Sequence, residues 1–579
     1  MNILGINAYH PDASVALLRD GVPVWAAEEE RFNRVKHISG FPGGALRRCL
    51  EDVGIGPAEL DVVAVSKNPR ASLARKALFV LRHRPDLSLV SDRLGAFRRS
   101  SSFSRDFTAA LGVSPASLRA RFVKVEHHRA HIASSFFLSG FDRAAFLSID
   151  GMGDFSSAVW GRGEGNRLEI AGRVYFPHSA GFLYTAATQF LGFMRFGDEY
   201  KVMGLAAYGE PVFLDQFRRM FSLLPGGGFR LNLEYFTHHR GQAKVHWQGG
   251  APEQDILFSD LWTRVFGLPR KPGDELTDRE RDLAASLQAA LEEILFHNLN
   301  RLHRATGEEN LALAGGVAFN SLANGQITTR TPFKNVYIQP AAGDSGTALG
   351  AAAYVHHCRE GKSRNFTMDH AYLGPGFSEE RLEEALRAAG LNFRKLEEEE
   401  LIRRTAEAVA QGLVVGWFQG RMEYGPRALG NRSILADPRR KDMKDILNHR
   451  VKNREHFRPF APSVLEEKAH EYFEMDCAAS PFMLKVFPVR EEKRGLIPAI
   501  THRDGTARVQ TVSKRSNPRY WAVIDEFGRQ TGIPVVLNTS FNENEPIVCS
   551  PEEAVNCYRK TKIDILVLGG YFLQKEPAK

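Results

Sequence analysis

The chain has 579 residues, 43% of them hydrophobic and 25% charged, a globular composition whose length suits two to four domains. A formal net charge of +8 favours anionic ligands, but the basic residues are spread along the chain rather than gathered in one patch, which argues against nucleic acid as the partner. Apolar stretches such as LEEILFHNLNRLH and DILVLGGYFL are broken by charge or glycine well short of the roughly 20 residues of a membrane span, and five cysteines without a CxxC pair argue against a disulfide framework or a thiolate zinc site.

The opening MNILGIN enters a strand pattern directly, without a basic leader or cleavage site, so a cytoplasmic protein with no membrane partner is expected. Residues 1–32 read as strand, polar tip, strand, turn at Asp20-Gly21 and strand. After an Arg-rich excursion comes EHHRAHIASSFF, where His127 and His131 stand four apart and share one helix face. That spacing suits a metal, and it equally suits a polar helix start with a buried histidine beside it. The opening plan then returns in FLSIDGMGDFSSAVWGRGEGNRLEIAGRV, with Asn7 matching Asp150 and Ser14 matching Ser157. This internal repeat predicts two similar lobes. Further on, LALAGGVAFNSLANGQI and VYIQPAAGDSGTALGAAAYV each read as strand, Gly-rich turn and small-residue helix, an arrangement that offers backbone N–H groups to an anion.

Near residue 365 the character changes to Gly/Pro punctuation followed by a charged amphipathic helix, which sets domains at 1–365 and 366–579. Between Arg421 and Arg458 there are eleven Lys and Arg against five acidic residues. Arg427 in GPRALGNR and Arg458 in FRPFAPS sit among Gly, Pro and aromatics, where a guanidinium is held for bidentate recognition of phosphate or carboxylate.

The succession of two hairpins and a Gly-rich motif resembles the duplicated actin-like (ASKHA) nucleotide-binding fold. Together HHRAH, SIDGMGD and LAGGVAFN resemble its Kae1-like branch, while GRMEYGPRALGNRSILADPR, VKNREHFRPFAPSV and LNTSFNENEPIV resemble the YrdC-like domain of nodulation-type and antibiotic-type O-carbamoyltransferases. The resemblance implies an α/β chain with a Kae1-like domain, binding metal and nucleotide and carrying out carbamoyl transfer, followed by an α/β YrdC-like domain that makes carbamoyl adenylate from ATP and carbamoyl phosphate. It implies a metal at His127, His131, Asp150 and Asp344. Two imidazoles and two carboxylates suit Fe(II), Mn or Zn, and the family points to iron. Adenylate binding is implied for Gly315, Gly316 and Asn320, and ATP and carbamoyl phosphate binding, with Mg²⁺, for Arg427, Lys452, Arg458, Arg508 and Asn538. Catalytic roles are implied for His10, Asp12 and Lys36, with His10 either the general base toward the acceptor hydroxyl, a hydrogen-bonding partner of the acceptor, or a loop-packing residue. Pro11 separates His10 from Asp12 where the family commonly has them adjacent.

The expected function is transfer of a carbamoyl group to a hydroxyl of a small-molecule natural product, with a homodimer left open. Alternatives are a tRNA threonylcarbamoyladenosine-type transferase and a non-catalytic nucleotide-gated scaffold. Acceptor selection is expected from residues 70–121 and 213–265.

Overall fold

A computed structural model describes residues 1–83, 103–240 and 245–575. Residues 84–102 and 241–244, within the two segments expected to select the acceptor, lie outside the described residues. The chain divides into two compact units, Met1–Met368 and Asp369–Lys579.

The first unit contains two five-stranded sheets built to one plan. In the first, β1 (Asn2–Asn7), β2 (Ser14–Arg19), β3 (Val22–Glu28), β4 (Val62–Val65) and β5 (Arg121–Lys124) lie in the order β3-β2-β1-β4-β5. In the second, β6 (Arg143–Gly153), β7 (Ser156–Glu164), β8 (Arg167–Tyr175), β9 (Asn310–Ala314) and β10 (Asn335–Ile338) lie in the order β8-β7-β6-β9-β10. Both begin with antiparallel hairpins and end in parallel pairs. The chain is thus α/β with a duplicated actin-like unit, the repeat that the hairpins predict.

Helices α1 (His127–Phe136), α2 (Asp278–Thr306) and α3 (Gly346–Tyr354) cover these sheets. Small residues let α3 wedge between β1 and α1. A Cβ on Gly5 would meet the Ala348 carbonyl oxygen at 1.8 Å, and one on Gly350 would meet the Ala130 oxygen at 1.8 Å. The close crossing has a consequence for the site: α3 begins just beyond Asp344, and α1 carries His127 and His131.

The matched hairpin ends differ. Asn7 pairs in register with Ser14, and its side-chain amide donates to the Pro11 and Asp12 carbonyls at 3.0 Å each. In the second lobe the ladder is irregular between Ile149 and Gly153, so Asp150 leaves the regular pairing.

The second unit is built on one eight-stranded mixed sheet. Its strands are β11 (Arg394–Lys395), β12 (Val415–Phe418), β13 (Arg432–Ala436), β14 (Ala461–Leu465), β15 (Gln510–Val512), β16 (Val535–Ser540), β17 (Ile565–Leu568) and β18 (Tyr571–Gln574), ordered β11-β18-β17-β12-β13-β16-β14-β15. One face packs Leu401, Val409, Trp417, Tyr520 and Phe527, and the other packs Leu386, Phe418, Phe487, Val555 and Tyr558. Burial on both faces explains the continuous apolar runs VVGWF and DILVL. No helix among the described residues is long and apolar enough to cross a membrane.

Candidate active site

The first cluster forms at the start of α1. Glu126 caps the helix, its carboxylate accepting from the His128 and Arg129 N–H groups at 3.3 and 3.2 Å, and Arg173 holds that carboxylate at 3.0 Å. Asp154 Oδ2 accepts from the His127 N–H at 2.9 Å and from the Asn68 N–H at 2.7 Å, which fixes where the helix begins. His127 and His131 are both 0% exposed, and their Nε2 atoms are 3.1 Å apart. Asp150 Oδ2 lies 3.2 Å from the first and 3.3 Å from the second. Asp344 Oδ1 lies 3.4 and 3.6 Å from them.

Four ligand atoms thus lie within 4.8 Å of one another. Two nitrogens and two carboxylates fit a divalent cation, whose charge the carboxylates would balance. Burial alone would lower the His127 proton affinity, but Asp344 and Asp150 overcome it and raise the pKa to about 9. Burial would raise Asp150, yet hydrogen bonds from His127 and His131 hold it well below the usual carboxylate range, while burial and Asp150 itself push Asp344 up. The neighbouring His128 faces elsewhere, with Nδ1 at 2.8 Å from Ser148 Oγ and Nε2 at 2.9 Å from the Ser156 carbonyl. Burial and the nearby His127 lower it to about 3, so it stays neutral.

The glycine turn after β9 supports this cluster. The Gly316 N–H donates to Asp150 Oδ1 at 3.1 Å. Gly315 has φ +96°, and a Cβ there would meet the Ile149 carbonyl oxygen at 2.2 Å. Asn320 is turned inward, where its amide pairs with Gln288 at 2.8 and 3.0 Å and accepts from the Ala323 N–H at 3.0 Å.

From the first hairpin, His10 stacks on His127 with ring centroids 5.3 Å apart, and its Nδ1 is 3.7 Å from Asp344 Oδ2. Asp12 faces His37 instead, at 2.8 Å. Lys36 is exposed beside them.

In the second unit an arginine cluster stands out. Burial pushes the Arg508 guanidinium well below its ordinary value, and Arg427, Arg454 and Arg458 push it further the same way. Arg458 is paired with Glu455 at 3.6 Å; a group of guanidiniums held this close suits an anionic ligand. The loop bearing Arg427 is stitched by Glu423, whose Oε1 accepts from the N–H groups of Leu429, Asn431 and Arg432 at 2.8, 2.8 and 3.1 Å. Arg432 is itself buried, its guanidinium 3.6 Å from the Phe418 ring centre.

Lys452 is 2% exposed, and its ammonium donates to the Ser540 carbonyl at 2.5 Å and to the Asn542 carbonyl and side-chain oxygen at 2.8 Å each. It therefore clamps the LNTSFN segment. The Asn538 amide nitrogen faces Ala428 O, Ser463 Oγ and Gln510 Oε1 at 3.2, 3.0 and 3.0 Å. That orientation leaves its buried Oδ1 without a protein partner among the described residues.

The structure thus gathers His10 with the four candidate ligands, and Arg427 and Arg458 with Arg508. Sequence reasoning missed Glu126, Asp154, Arg454, Glu423 and His37. Only Glu126, an acid directly before HHRAH, carried a local signal, that of a helix cap.

Comparison with known proteins gives two family models, Carbamoyltransferase N-terminus over residues 2–353 and Carbamoyltransferase C-terminus over residues 406–575. Nodulation protein NolNO of Sinorhizobium fredii is 40% identical over 578 residues, covering 99% of this chain and 80% of that protein. Nodulation protein NolO of Bradyrhizobium diazoefficiens is 43% identical over 464 residues, covering 78% of this chain and 79% of its own. An uncharacterized protein of Synechocystis sp. is 41% identical over 608 residues, covering 99% of this chain and 97% of that one.

Proposed function

The chain belongs to the carbamoyltransferase family and is an enzyme of that class, and from that premise we propose that it is an ATP-dependent O-carbamoyltransferase working in two steps at two sites. The observation carrying this reading is that a buried His/His/Asp/Asp cluster and a separate arginine cluster occur on one chain, each in its own unit.

In the second unit, Arg427, Arg458 and Arg508, joined by Arg454, neutralise carbamoyl phosphate and the triphosphate of Mg·ATP. A carbamoyl oxygen bonds to the α-phosphorus and pyrophosphate leaves. Water cleaves the carbamoyl–phosphate bond, so inorganic phosphate is also released and carbamoyl adenylate remains. Fixed guanidinium groups stabilise the charge gathering on phosphoryl oxygens in such a step. Lys452 shapes the pocket by holding its LNTSFN wall, and Asn538 Oδ1 offers an acceptor to the carbamoyl amino group.

In the first unit, Gly315 and Gly316 present a close-approach turn to the adenylate, framed by Asn320. His127, His131, Asp150 and Asp344 would hold Fe(II), Mn or Zn, which when bound supplies Lewis acidity toward phosphate and carbamoyl oxygens. His10 takes the proton of a small-molecule acceptor hydroxyl as its oxygen attacks the carbamoyl carbon, Asp12 orients that hydroxyl, and Lys36 borders its entry.

The test is pyrophosphate release by the purified protein with ATP and Mg²⁺, with and without carbamoyl phosphate and with no acceptor. Release only with carbamoyl phosphate is expected. Arg427→Ala should abolish it, and His127→Ala should retain it while losing transfer. No pyrophosphate from a folded protein that binds ATP would sink the two-step reading in favour of threonylcarbamoyl transfer or a nucleotide-gated scaffold.

A further inference from the structure

A second constellation lies beside the transfer site, in the loop after β3. His37 Nδ1 is 2.8 Å from Asp12 Oδ1. Both residues have left-handed backbone, at φ 55° and 54°, which non-glycine residues keep only where their surroundings enforce it. Here the enforcement is visible. The Ala13 N–H donates to the Ile38 carbonyl at 3.0 Å, and the Tyr9 N–H donates to the Gly40 carbonyl at 2.9 Å. The Asn7 amide holds the Pro11 and Asp12 carbonyls, and the His37 N–H donates to Glu30 Oε2 at 3.0 Å.

The far edge of the imidazole is seated against protein. Phe196 meets it edge-on at 5.5 Å. Gly197 gives it room, since a Cβ there would come within 2.5 Å of Nε2. Asp12 Oδ2 points the other way, 3.9 Å from where a Cβ on Gly343 would sit. Gly343 immediately precedes Asp344, so the carboxylate of Asp12 reaches from His37 to the rim of the metal cluster.

We propose that His37 is a positioning residue for carbamoyl transfer, holding Asp12 so that its second oxygen accepts the hydrogen bond of the incoming acceptor hydroxyl beside the metal centre. The inference rests on the carbamoyltransferase reading above. In the step it serves, the single hydrogen of the hydroxyl, held toward Asp12 on docking, turns to His10 as the oxygen bonds to the carbamoyl carbon; His10 takes that proton, the bond from the carbon to AMP breaks and AMP leaves. Asp12, Glu30 and His37 also stand close enough to hold a cation. Yet Glu30 Oε1 is 2.9 Å from the Arg31 guanidinium, and its other oxygen takes the His37 N–H. Both Glu30 oxygens are therefore already engaged by protein donors.

Charge is part of the arrangement. Burial lowers the His37 pKa, but Asp12 more than reverses this, Glu30 adds to the rise and Lys36 opposes it, for a value of about 9. Glu199, whose carboxylate accepts from Thr185 Oγ1 at 2.7 Å, interacts electrostatically with the same imidazole. An imidazolium at neutral pH keeps Asp12 ionised and fixed, and it loses its proton above about pH 9.

The experiment supplies the full chain with metal, ATP and carbamoyl phosphate, and uses water as the probe hydroxyl. Pyrophosphate reports adenylate formation, and AMP formed above the rate of His127→Ala reports enzymatic transfer. His37→Ala should form pyrophosphate as the wild type does and slow AMP formation about 10- to 100-fold, the range for residues that orient a site through another. His37→Asn, whose amide nitrogen can replace Nδ1, should recover most of the rate. Wild-type AMP formation should fall above pH 9 and that of His37→Asn should not. In ¹⁵N NMR spectra the His37 titration should drop toward the ordinary histidine range in Asp12→Asn. Wild-type AMP rates in His37→Ala, or an Asn variant as slow as the Ala variant while melting like the wild type, would sink the positioning role alone. A wild type that makes neither pyrophosphate nor AMP would sink the carbamoyltransfer reading and this inference with it.

Discussion

His127 and His238 are both buried imidazoles, but their surroundings drive their protons in opposite directions. His127 faces two carboxylates and is raised to about 9, so a bound cation would replace a proton that the cluster already attracts. His238 sits among Phe176, Phe182 and Phe236. Burial lowers it to about 4 against the opposing effect of its 2.8 Å hydrogen bond to the Pro177 carbonyl. The sign of its contribution follows. Above the ordinary value of 6.5 neither state is protonated, so stability does not depend on this group. Between 6.5 and about 4 the unfolded chain binds a proton that the folded one refuses, and stability falls by about 1.4 kcal/mol per pH unit as pH drops. Below that window the loss stops growing. Burial also lowers His128, His357 and His502, so denaturant titrations across the window should show a slope smaller in His238→Phe than in the wild type by about 1.4 kcal/mol per pH unit; equal slopes would remove His238 as a contributor. Such residue chemistry was only partly legible in the sequence. The HxxxH pair is legible because helical spacing brings positions four apart together. His37 and Arg454 are not, because Asp12 and Arg508 reach them from far along the chain, and Glu423 is not, because the irregular loop that turns Leu429, Asn431 and Arg432 onto it has no periodic pattern.

Elements place these residues through close approach. Helix α3 carries nothing larger than leucine before its final tyrosine, in GTALGAAAY, and that smallness lets it lie against both β1 and α1. Gly350 meets the backbone carbonyl of Ala130, which cannot turn aside as a side chain can. Gly350→Ala should therefore force the two helices apart and cost about 1–3 kcal/mol, the range for overpacking. Because α1 bears His127 and His131 and α3 follows Asp344, metal affinity measured by calorimetry should fall together with the melting temperature. Gly226→Ala, where a Cβ would meet nothing within 4 Å, is the matched control and should change neither. A Gly350→Ala protein with normal metal affinity would show that the crossing does not set the cluster. The hairpins and glycine turns were readable as elements because their turn residues and strand alternation are local. The inward pairing of Asn320 with Gln288 was not, since it depends on how α2 packs across the turn.

At the scale of the molecule, duplication followed by divergence explains why one lobe supplies a candidate ligand and the other a staple. The hairpin ends match, but Asp150 joins the His/His/Asp/Asp cluster while Asn7 secures its own loop. The repeat therefore supplies the paired hairpins, and a departure from it brings Asp150 to the His/His/Asp/Asp cluster. The second unit adds an arginine cluster formed within its own residues. If the two units carry successive steps, lesions in them should complement. Arg427→Ala retains the metal cluster and His127→Ala retains the arginine cluster, so a mixture of the two contains every required group on separate chains. Mixed with ATP, carbamoyl phosphate and metal, the pair should regain AMP formation above the sum of the separate variants. The gain should rise with protein concentration, because the adenylate must cross bulk water between molecules, where hydrolysis competes with capture. It should remain below the wild-type rate at the same number of intact sites. A mixture no more active than its parts, with both variants folded and His127→Ala still releasing pyrophosphate, would mean that the adenylate never leaves the chain on which it forms. Wild-type activity in either variant alone would instead overturn the division of labour itself.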